Sequence, residues 1–313
     1  MRDTSPGTGR LDRPEGREMT RPARLAVGVI SAGRAGSVLG AALARAGHTV
    51  VAASGISRDS HDRAERLLPG VPLLPPDQVV AAADLVLLAV PDDTLPGLVR
   101  GLAATGSWRT GQIVIHTSGA HGIGVLRHAA EVGALPLALH PVMTFTGREE
   151  DLQRMVSSSV GVTAEAGDEV AWNVGEALTM EMGAEPVRVP EQARPRYHAA
   201  LAHGANHLVT LVNDCADLLR DSGVANPERM LGPLLSAALD NALRHGDRAL
   251  TGPVARGDAG TVRAHLSVLR EGAPEVAKCY SALAERTVAR AVAAGLLAGD
   301  AAAEITELLE EDQ

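Results

Sequence analysis

The sequence is poor in aromatic side chains, lysine and cysteine. Its 313 residues include one Phe, two Tyr, two Trp and two Cys, and the single lysine is Lys278. So few rings exclude a base-stacking surface, and a formal net charge of -9 opposes binding to nucleic acid. The two cysteines lack metal-ligand spacing and fall in different predicted helices, so we expect reduced thiols and no metal site.

Long apolar runs are also missing. No stretch approaches the ~18 apolar residues of a membrane span, so the sequence predicts no membrane segment. Residues 1–23 are rich in charge, Gly and Pro, which predicts a disordered tail rather than a targeting peptide. Together with the reduced cysteines, this favours a cytoplasmic location.

Short apolar runs alternate with helical patterns over residues 24–189. The alternation predicts an α/β domain built on a doubly wound, Rossmann-type parallel sheet. The predicted strands are RLAVGVI, HTVVAAS, DLVLLAV, QIVIHTSG, LPLALHP, SSSVGVTA and EPVRVP. Strand signals end after Pro190, and residues 190–313 predict an all-helical C-terminal domain.

Several local signals divide that helical region. A long pattern from Pro195 to Arg220 stops at a Ser-Gly turn, and ALTGPVARGD is predicted to be a loop. The helix starts predicted from capping residues and N1 prolines are Asn226-Pro227, Asp258, Pro274 and Asp300.

The stretch VGVISAGRAGSVLG, residues 27–40, resembles a dinucleotide-binding turn between a strand and a helix. Gly33 and Gly36 occupy the second and third glycine positions. Ser31 stands in the first, which we expect to be tolerated if its backbone stays out of positive φ. The alternative is a glycine-rich turn without a ligand. The residues predicted to contact the cofactor here are Ser31, Ala32, Gly33, Arg34, Ala35 and Gly36.

The second strand favours NADP(H) over NAD(H). It lacks the acidic residue that binds a ribose 2′-hydroxyl, and Ser57 and Arg58 follow it instead. A hydroxyl and a guanidinium suit a 2′-phosphate, and Arg34, inside the glycine-rich loop, is a further candidate to bind it. The alternative for Arg58 is a solvated surface position.

Three further polar motifs follow predicted strands, where ligands of open α/β sheets bind. The motif AVPDD places Val90, Pro91 and Asp92 beside the nicotinamide ribose. The motif HTSGAHG offers Ser118 to a substrate carboxylate or to the nicotinamide amide, and LHPVMTF offers His140 to the substrate. For any one histidine alone a structural role at a strand end is the better explanation, and the convergence of three polar strand ends with the cofactor loop favours a site.

Six stretches together resemble the proteins that join a Rossmann-like domain to a DUF2520 domain: VISAGRAG, AVPDDTL, HTSGAHG, LHPVMTF, YHAALAHGAN and LTGPVARGD. The resemblance covers about residues 24–290. It implies kinship with the 6-phosphogluconate and β-hydroxyacid dehydrogenases and with pyrroline-carboxylate reductase, and a homodimer formed through the helical domain. Some members of the family are alternative ketopantoate reductases that use NADPH.

The long helix carries the candidate chemistry. In the β-hydroxyacid dehydrogenases a helix at this place bears Lys-x-x-x-Asn, whose lysine protonates the substrate oxygen. Asn206 matches the asparagine, but Ala202 occupies the lysine position. His198, one turn earlier, is our candidate proton donor because imidazole exchanges protons near neutral pH. A polar helix face at the domain seam explains His198 equally well.

A second group of candidates lies further along the chain. Thr251 offers a hydroxyl and Arg256 a carboxylate clamp in the loop ALTGPVARGD, and Asn241 is predicted to face the same cavity. The alternative is that this loop only makes dimer contacts.

These assignments predict an NADPH-dependent reductase of a small 2-oxo acid, and the family resemblance implies 2-dehydropantoate as the favoured substrate. Asn206 would hold the carbonyl oxygen, His198 would donate the proton, and Arg256 would bind the carboxylate. Two alternatives stay open: an imine reductase, which needs no strong acid, and a non-catalytic NADP(H)-binding sensor or scaffold.

Overall fold

A computed structural model describes residues 24–310. The chain divides into two compact units between Leu201 and Ala202. The elements of the first unit are β1 (Ala26–Ile30), α1 (Arg34–Arg45), β2 (Thr49–Ala53), α2 (Arg58–Leu67), α3 (Pro76–Ala82), β3 (Leu85–Leu88), α4 (Leu95–Ala104), β4 (Ile113–His116), α5 (Arg127–Ala130), β5 (Leu135–Pro141), α6 (Glu150–Met155), β6 (Ser159–Thr163), α7 (Glu169–Glu181) and β7 (Glu185–Arg188).

The seven strands form one sheet in the order β2-β1-β3-β4-β5-β6-β7. All seven predicted strands are present, which confirms the Rossmann-type α/β fold. Five of the six strand pairs are parallel, and β6 runs antiparallel to β5. Strands buried on both faces are apolar throughout in either direction, so their sequence does not reveal orientation.

Apolar side chains pack on both faces of the sheet. One cluster joins the sheet to α1, α2, α6 and α7, with Val27, Leu39 and Met155 among its fully buried members. The other joins it to α3 and α4 through residues such as Val80 and Val99. Burying such a side chain contributes roughly 1.5–3 kcal/mol, so this doubly covered sheet is a rigid base for the loops at its edge.

Both tryptophans belong to the first unit. Trp108 is buried, and its Nε1–H donates to the Val99 carbonyl at 3.3 Å. Trp172 lies beneath the guanidinium of Arg188, 4.1 Å from the ring centre. Both indole rings are therefore used for packing.

Helices make up the second unit and confirm the predicted helical C-terminal region. They are α8 (Arg194–Asp221), whose first two turns belong to the first unit, α9 (Pro227–His245), α10 (Pro253–Arg256), α11 (Ala259–Gly272), α12 (Pro274–Ala293) and α13 (Gly299–Glu310). Leu266 and Ile305 are fully buried in a core shared by α10–α13. None of the described helices is long and apolar enough to cross a membrane.

The predicted helix starts are largely correct. Asp258 caps α11 by accepting from Thr261 N–H at 3.1 Å, and α12 begins at Pro274. Two expectations are wrong in detail. The predicted loop 249–258 contains the one-turn helix α10, because Pro253 fits the first turn of a helix, and Asp300 lies inside α13 instead of preceding it. The predicted tail, residues 1–23, lies outside the described residues.

Candidate functional site

The turn between β1 and α1 is tight and strained. Ser31 has φ +75°, and it is the one non-glycine with positive φ among the described residues. The condition under which a serine was expected to be tolerated here, a backbone outside positive φ, is therefore not met. The turn imposes the positive φ, because Ser31 N–H donates to Ser54 Oγ at 3.0 Å and Ala32 N–H donates to the Ser54 carbonyl at 2.6 Å. A side chain at Gly36 would collide with the Ser31 carbonyl, so this position requires glycine.

The N-terminus of α1 faces this turn without a cap. Gly33 is the N-cap residue and supplies no side-chain hydrogen bond, and the first turn contains no acid. The first N–H groups of a 12-residue helix are thus available to an anion, which the helix dipole also favours. This donor set fits the pyrophosphate of a dinucleotide.

A groove of about 800 Å³ opens beside the turn. The turn, the end of β2, the start of α2 and the end of β3 form its walls. Among the residues that line it are Ser31, Gly33, Ser54, Gly55, Ser57, His61, Arg63, Val90 and Pro91. The structure therefore brings together the predicted contacts Ser31, Gly33, Ser57, Val90 and Pro91.

The end of β2 differs from expectation in its details. Ser57 lines the groove but also caps α2, because its Oγ accepts from Ser60 N–H at 3.2 Å. Arg58 is the first residue of α2 and is exposed, and it is not among the lining residues. Sequence reasoning missed Ser54 and Arg63, because neither occupies a position that the fingerprint specifies.

A polar cluster occupies the carboxyl ends of β4 and β5. His140 Nδ1 lies 2.9 Å from the Tyr197 hydroxyl, and the His140 and His198 rings meet edge to face with centres 5.9 Å apart. Gly119 makes room for them, since a Cβ there would lie 2.5 Å from His198 Cδ2 and 2.9 Å from His140 Nε2. The predicted residues His140 and His198 are thus neighbours, and Tyr197 joins them.

Arg194 fastens the first turn of α8 to this edge of the sheet. Its side chain is fully buried. Its Nε donates to Thr163 Oγ1 at 2.8 Å and its Nη1 to the Ser118 carbonyl at 2.9 Å. Its Nη2 donates to the carbonyls of Ala138 and Gly161 at 3.0 and 2.8 Å. These four bonds fix the position of Tyr197 and His198 one turn later.

The cluster keeps His140 neutral. The pKa of His140 is lowered to about 4, chiefly by burial and also by the positive charge of Arg194 and by the neighbouring His198. The Asp92 carboxylate opposes this shift, which places the predicted residue Asp92 within electrostatic reach of the cluster. Burial likewise raises the pKa of the Tyr197 hydroxyl. Near pH 7 His140 and Tyr197 thus offer neutral donors and acceptors.

The side chains of the HTSG motif make hydrogen bonds within their own turn. Burial lowers the pKa of His116 to about 3. His116 Nε2 lies 3.0 Å from the Gly122 carbonyl, while its Nδ1 accepts from Ser118 N–H at 3.2 Å. The Ser118 hydroxyl accepts from His121 N–H at 3.0 Å. The Ser118 side chain holds this turn, and its predicted ligand contacts stay predictions.

The other predicted residues belong to the second unit. Asn206 lies on α8 and Asn241 on α9, Thr251 precedes α10, and Arg256 ends it. All four are exposed. Their predicted roles toward a substrate stay predictions.

The fold and the site define a class: a Rossmann-fold protein with a helical C-terminal region. Residues 11–141 match the family model of the Rossmann-like domain. Residues 160–287 match the model of a domain of unknown function, DUF2520. The chain is thus similar to a Rossmann-like domain in its N-terminal part and to a DUF2520 domain in its C-terminal part.

Several solved structures have a similar fold, and the similarity covers almost the whole length of their chains. A Bacteroides fragilis protein that carries the assignment NADP oxidoreductase has a TM-score of 0.69 at 20% identity, covering 84% of this chain and 98% of its own. The Aspergillus terreus reductive aminase in complex with NADPH and ethyl levulinate has 0.61 at 16%, covering 93% and 100%. The pyrroline-5-carboxylate reductase of Streptococcus pyogenes has 0.56 at 19%, covering 86% and 98%. At these identities the likeness concerns the fold, and no curated protein matches the sequence.

Proposed function

We propose that this protein is an NADPH-dependent reductase of a small carbonyl compound or imine. One observation carries the proposal: the groove beside the uncapped α1 terminus and the His140–Tyr197–His198 cluster lie at the same edge of one sheet. Strands β1, β3, β4 and β5 are parallel, so their carboxyl ends share that edge. Ligands of open α/β sheets bind there.

The residues present fit a dinucleotide. The free N–H groups of α1 and the turn at Gly33 would hold the pyrophosphate, and Val90 and Pro91 would flank the nicotinamide half. The Aspergillus neighbour was crystallised with NADPH, which supports a nicotinamide cofactor. The reduced cofactor supplies a hydride to the substrate carbon when bound.

The chain's own residues would then manage the proton. The His198 ring is half-buried beside the cluster and would donate a proton to the developing oxygen or nitrogen centre. His140, held neutral, adds no second positive charge beside that donor. Arg194 and Gly119 would serve as positioning residues, since one fixes α8 and the other leaves space for both rings.

The substrate is proposed more finely as a 2-oxo acid, 2-dehydropantoate first. The family resemblance supports it, with Asn206 on the carbonyl oxygen and Arg256 on the carboxylate. An imine substrate is the second candidate, and Ala202 favours it. With alanine in the lysine position the strong acid is missing, whereas an iminium reaches the site already protonated.

The test is NADPH consumption by the purified protein with ketopantoate, other 2-oxo acids and cyclic imines. Turnover of ketopantoate, with rescue of a pantothenate auxotroph, would support the first substrate. Turnover of imines alone would select the second. Tight NADPH binding with no turnover of either class would contradict a reductase and favour a sensor or scaffold.

Variants locate the proton donor. His198→Asn should lower kcat roughly a hundredfold, the effect of losing a general acid, and should shift the pH profile. His128→Asn is the matched control, a half-buried histidine on α5 whose Nδ1 lies 3.2 Å from Glu131 Oε2, and should leave kcat unchanged. An unchanged kcat in His198→Asn would contradict this role.

We also propose a homodimer formed by α8 and α9. These helices expose large apolar side chains, namely Leu208, Val209, Leu211, Met230, Leu234, Leu239 and Leu243. Apolar faces of this extent on a globular protein mark interaction surfaces, and the family resemblance supports a second copy as the partner.

A further inference from the structure

Arg63 is placed where a cofactor's adenosine would lie. It sits on α2, near the middle of the helix that follows β2, and its half-buried side chain lines the groove with Ser54, Gly55 and Ser57. In Rossmann-type folds the end of β2 is where the adenosine ribose is recognised. The groove at this point is therefore the ribose end, away from the pyrophosphate turn at Gly33.

The guanidinium of Arg63 is incompletely satisfied. Its Nε is buried and has no hydrogen-bond partner within residues 24–310. A buried donor without an acceptor is costly, by about 1–3 kcal/mol in proteins. An anion bound in the groove by the same guanidinium would offset this cost, because it places negative charge beside the buried donor.

The backbone after β5 makes room for this side chain. A Cβ at Gly147 would lie 2.8 Å from Arg63 Cδ and 3.2 Å from Arg34 Cγ. Gly147 is itself held by the buried Asp151, whose carboxylate accepts from Thr146 N–H and Gly147 N–H at 2.7 and 2.8 Å. The Arg63 stem thus packs on an anchored turn, which limits the freedom of its head group before any ligand binds.

The electrostatics of the groove point the same way. None of the residues that line it is acidic, and Arg63 is its arginine, whereas Arg58 is exposed and outside the lining. A planar guanidinium binds a phosphate monoester through two parallel bonds.

We infer that Arg63 is the residue that binds the 2′-phosphate of NADP(H), in preference to Arg58. This inference rests on the proposed function and adds the residue that sets the choice of cofactor. It follows from three observations: the position on α2, the unpartnered Nε and the groove without acids.

The experiment compares four ligands on the full chain by titration calorimetry: NADPH, NADH, 2′,5′-ADP and 5′-AMP. Arg63→Gln should weaken NADPH and 2′,5′-ADP roughly ten- to hundredfold, the loss of a charged hydrogen-bonded contact. NADH and 5′-AMP, which lack the 2′-phosphate, should bind as they do to the wild type. Arg63→Lys, which keeps the charge but loses the planar fork, should fall between the two.

Arg66→Gln is the matched control, an exposed arginine one turn further along α2, and should leave all four affinities unchanged. Equal losses of NADPH and NADH in Arg63→Gln would assign Arg63 to the pyrophosphate and overturn the inference. No loss, or a larger selectivity loss in Arg58→Gln, would overturn it as well while leaving the proposed function intact. A wild type that binds neither coenzyme would overturn the proposed function itself.

Discussion

The two compact units differ in how they use their surfaces. In the sheet unit, exposed large apolar side chains are scattered singly, and buried polar groups such as Arg194 find several partners. In the helical unit, seven exposed apolar side chains are gathered on two successive helices, α8 and α9. The first pattern is that of a complete domain. The second pattern is typical of a surface that binds another protein chain.

The largest effect is expected when the buried cation of the sheet unit, Arg194, is removed. Arg194→Met should lower the free energy of unfolding by at least ~3 kcal/mol, because it leaves three carbonyls and a hydroxyl without their donor. Urea unfolding measures it. Arg196→Met, exposed on the same helix, should change stability by less than ~0.5 kcal/mol. Equal stabilities would contradict the anchoring role.

Acid should also act on the sheet unit. Folded His140 and His116 have pKa values of about 4 and about 3, below the 6.5 of an unfolded histidine. Between these values the unfolded state binds more protons, so stability is complete above pH 6.5 and falls as the pH drops toward 4. Each histidine contributes a slope of up to ~1.4 kcal/mol per pH unit. Unfolding measured at pH 7, 6 and 5 should show a flatter slope in His140→Gln. An unchanged slope would contradict the buried, neutral state.

The helical unit is tested by a charge on its apolar surface. Leu239→Asp on α9, whose side chain is 53% exposed, should weaken self-association at least about tenfold, roughly 1.4 kcal/mol. Sedimentation velocity measures it. Val170→Asp, 71% exposed on α7 of the sheet unit, is the matched substitution and should not change the oligomeric state. A monomeric wild type would refute the covered-surface interpretation.

The smallest effect concerns the strained turn. Ser31→Gly should raise the free energy of unfolding by up to about 1 kcal/mol, because glycine adopts φ +75° without penalty. Ser157→Gly, at an exposed position with ordinary φ, should not stabilise. Thermal unfolding compares the two variants. Destabilisation by Ser31→Gly would show that the serine side chain contributes more than its backbone costs.

Much of the fold could be predicted because it follows from local patterns. Apolar runs located all seven strands, and capping residues located the starts of α9, α11 and α12. The direction of β6 could not be predicted. A strand buried on both faces lacks the alternation of apolar and polar residues that is typical of many antiparallel strands. The positive φ of Ser31 could not be predicted either, because hydrogen bonds to Ser54, 23 residues away, impose it.

The site was predictable only in part. Motifs at strand ends indicated His140, and the long helix indicated His198, because both positions follow from topology. The sequence around Arg194 indicates an exposed arginine on a helix, yet this side chain is fully buried. Its role depends on four acceptors from three distant segments. Arg63 gives no local signal either, because its place in the groove depends on how α2 meets the turn at Gly147.

The positions of the two tryptophans provide an intrinsic fluorescence probe of one unit. Trp108 and Trp172 both lie in the sheet unit, and the helical unit has none. Indole emission therefore follows the melting of one half of the chain, while far-ultraviolet dichroism follows both. Loss of the two signals at different temperatures would reveal whether the halves denature separately, with no label introduced.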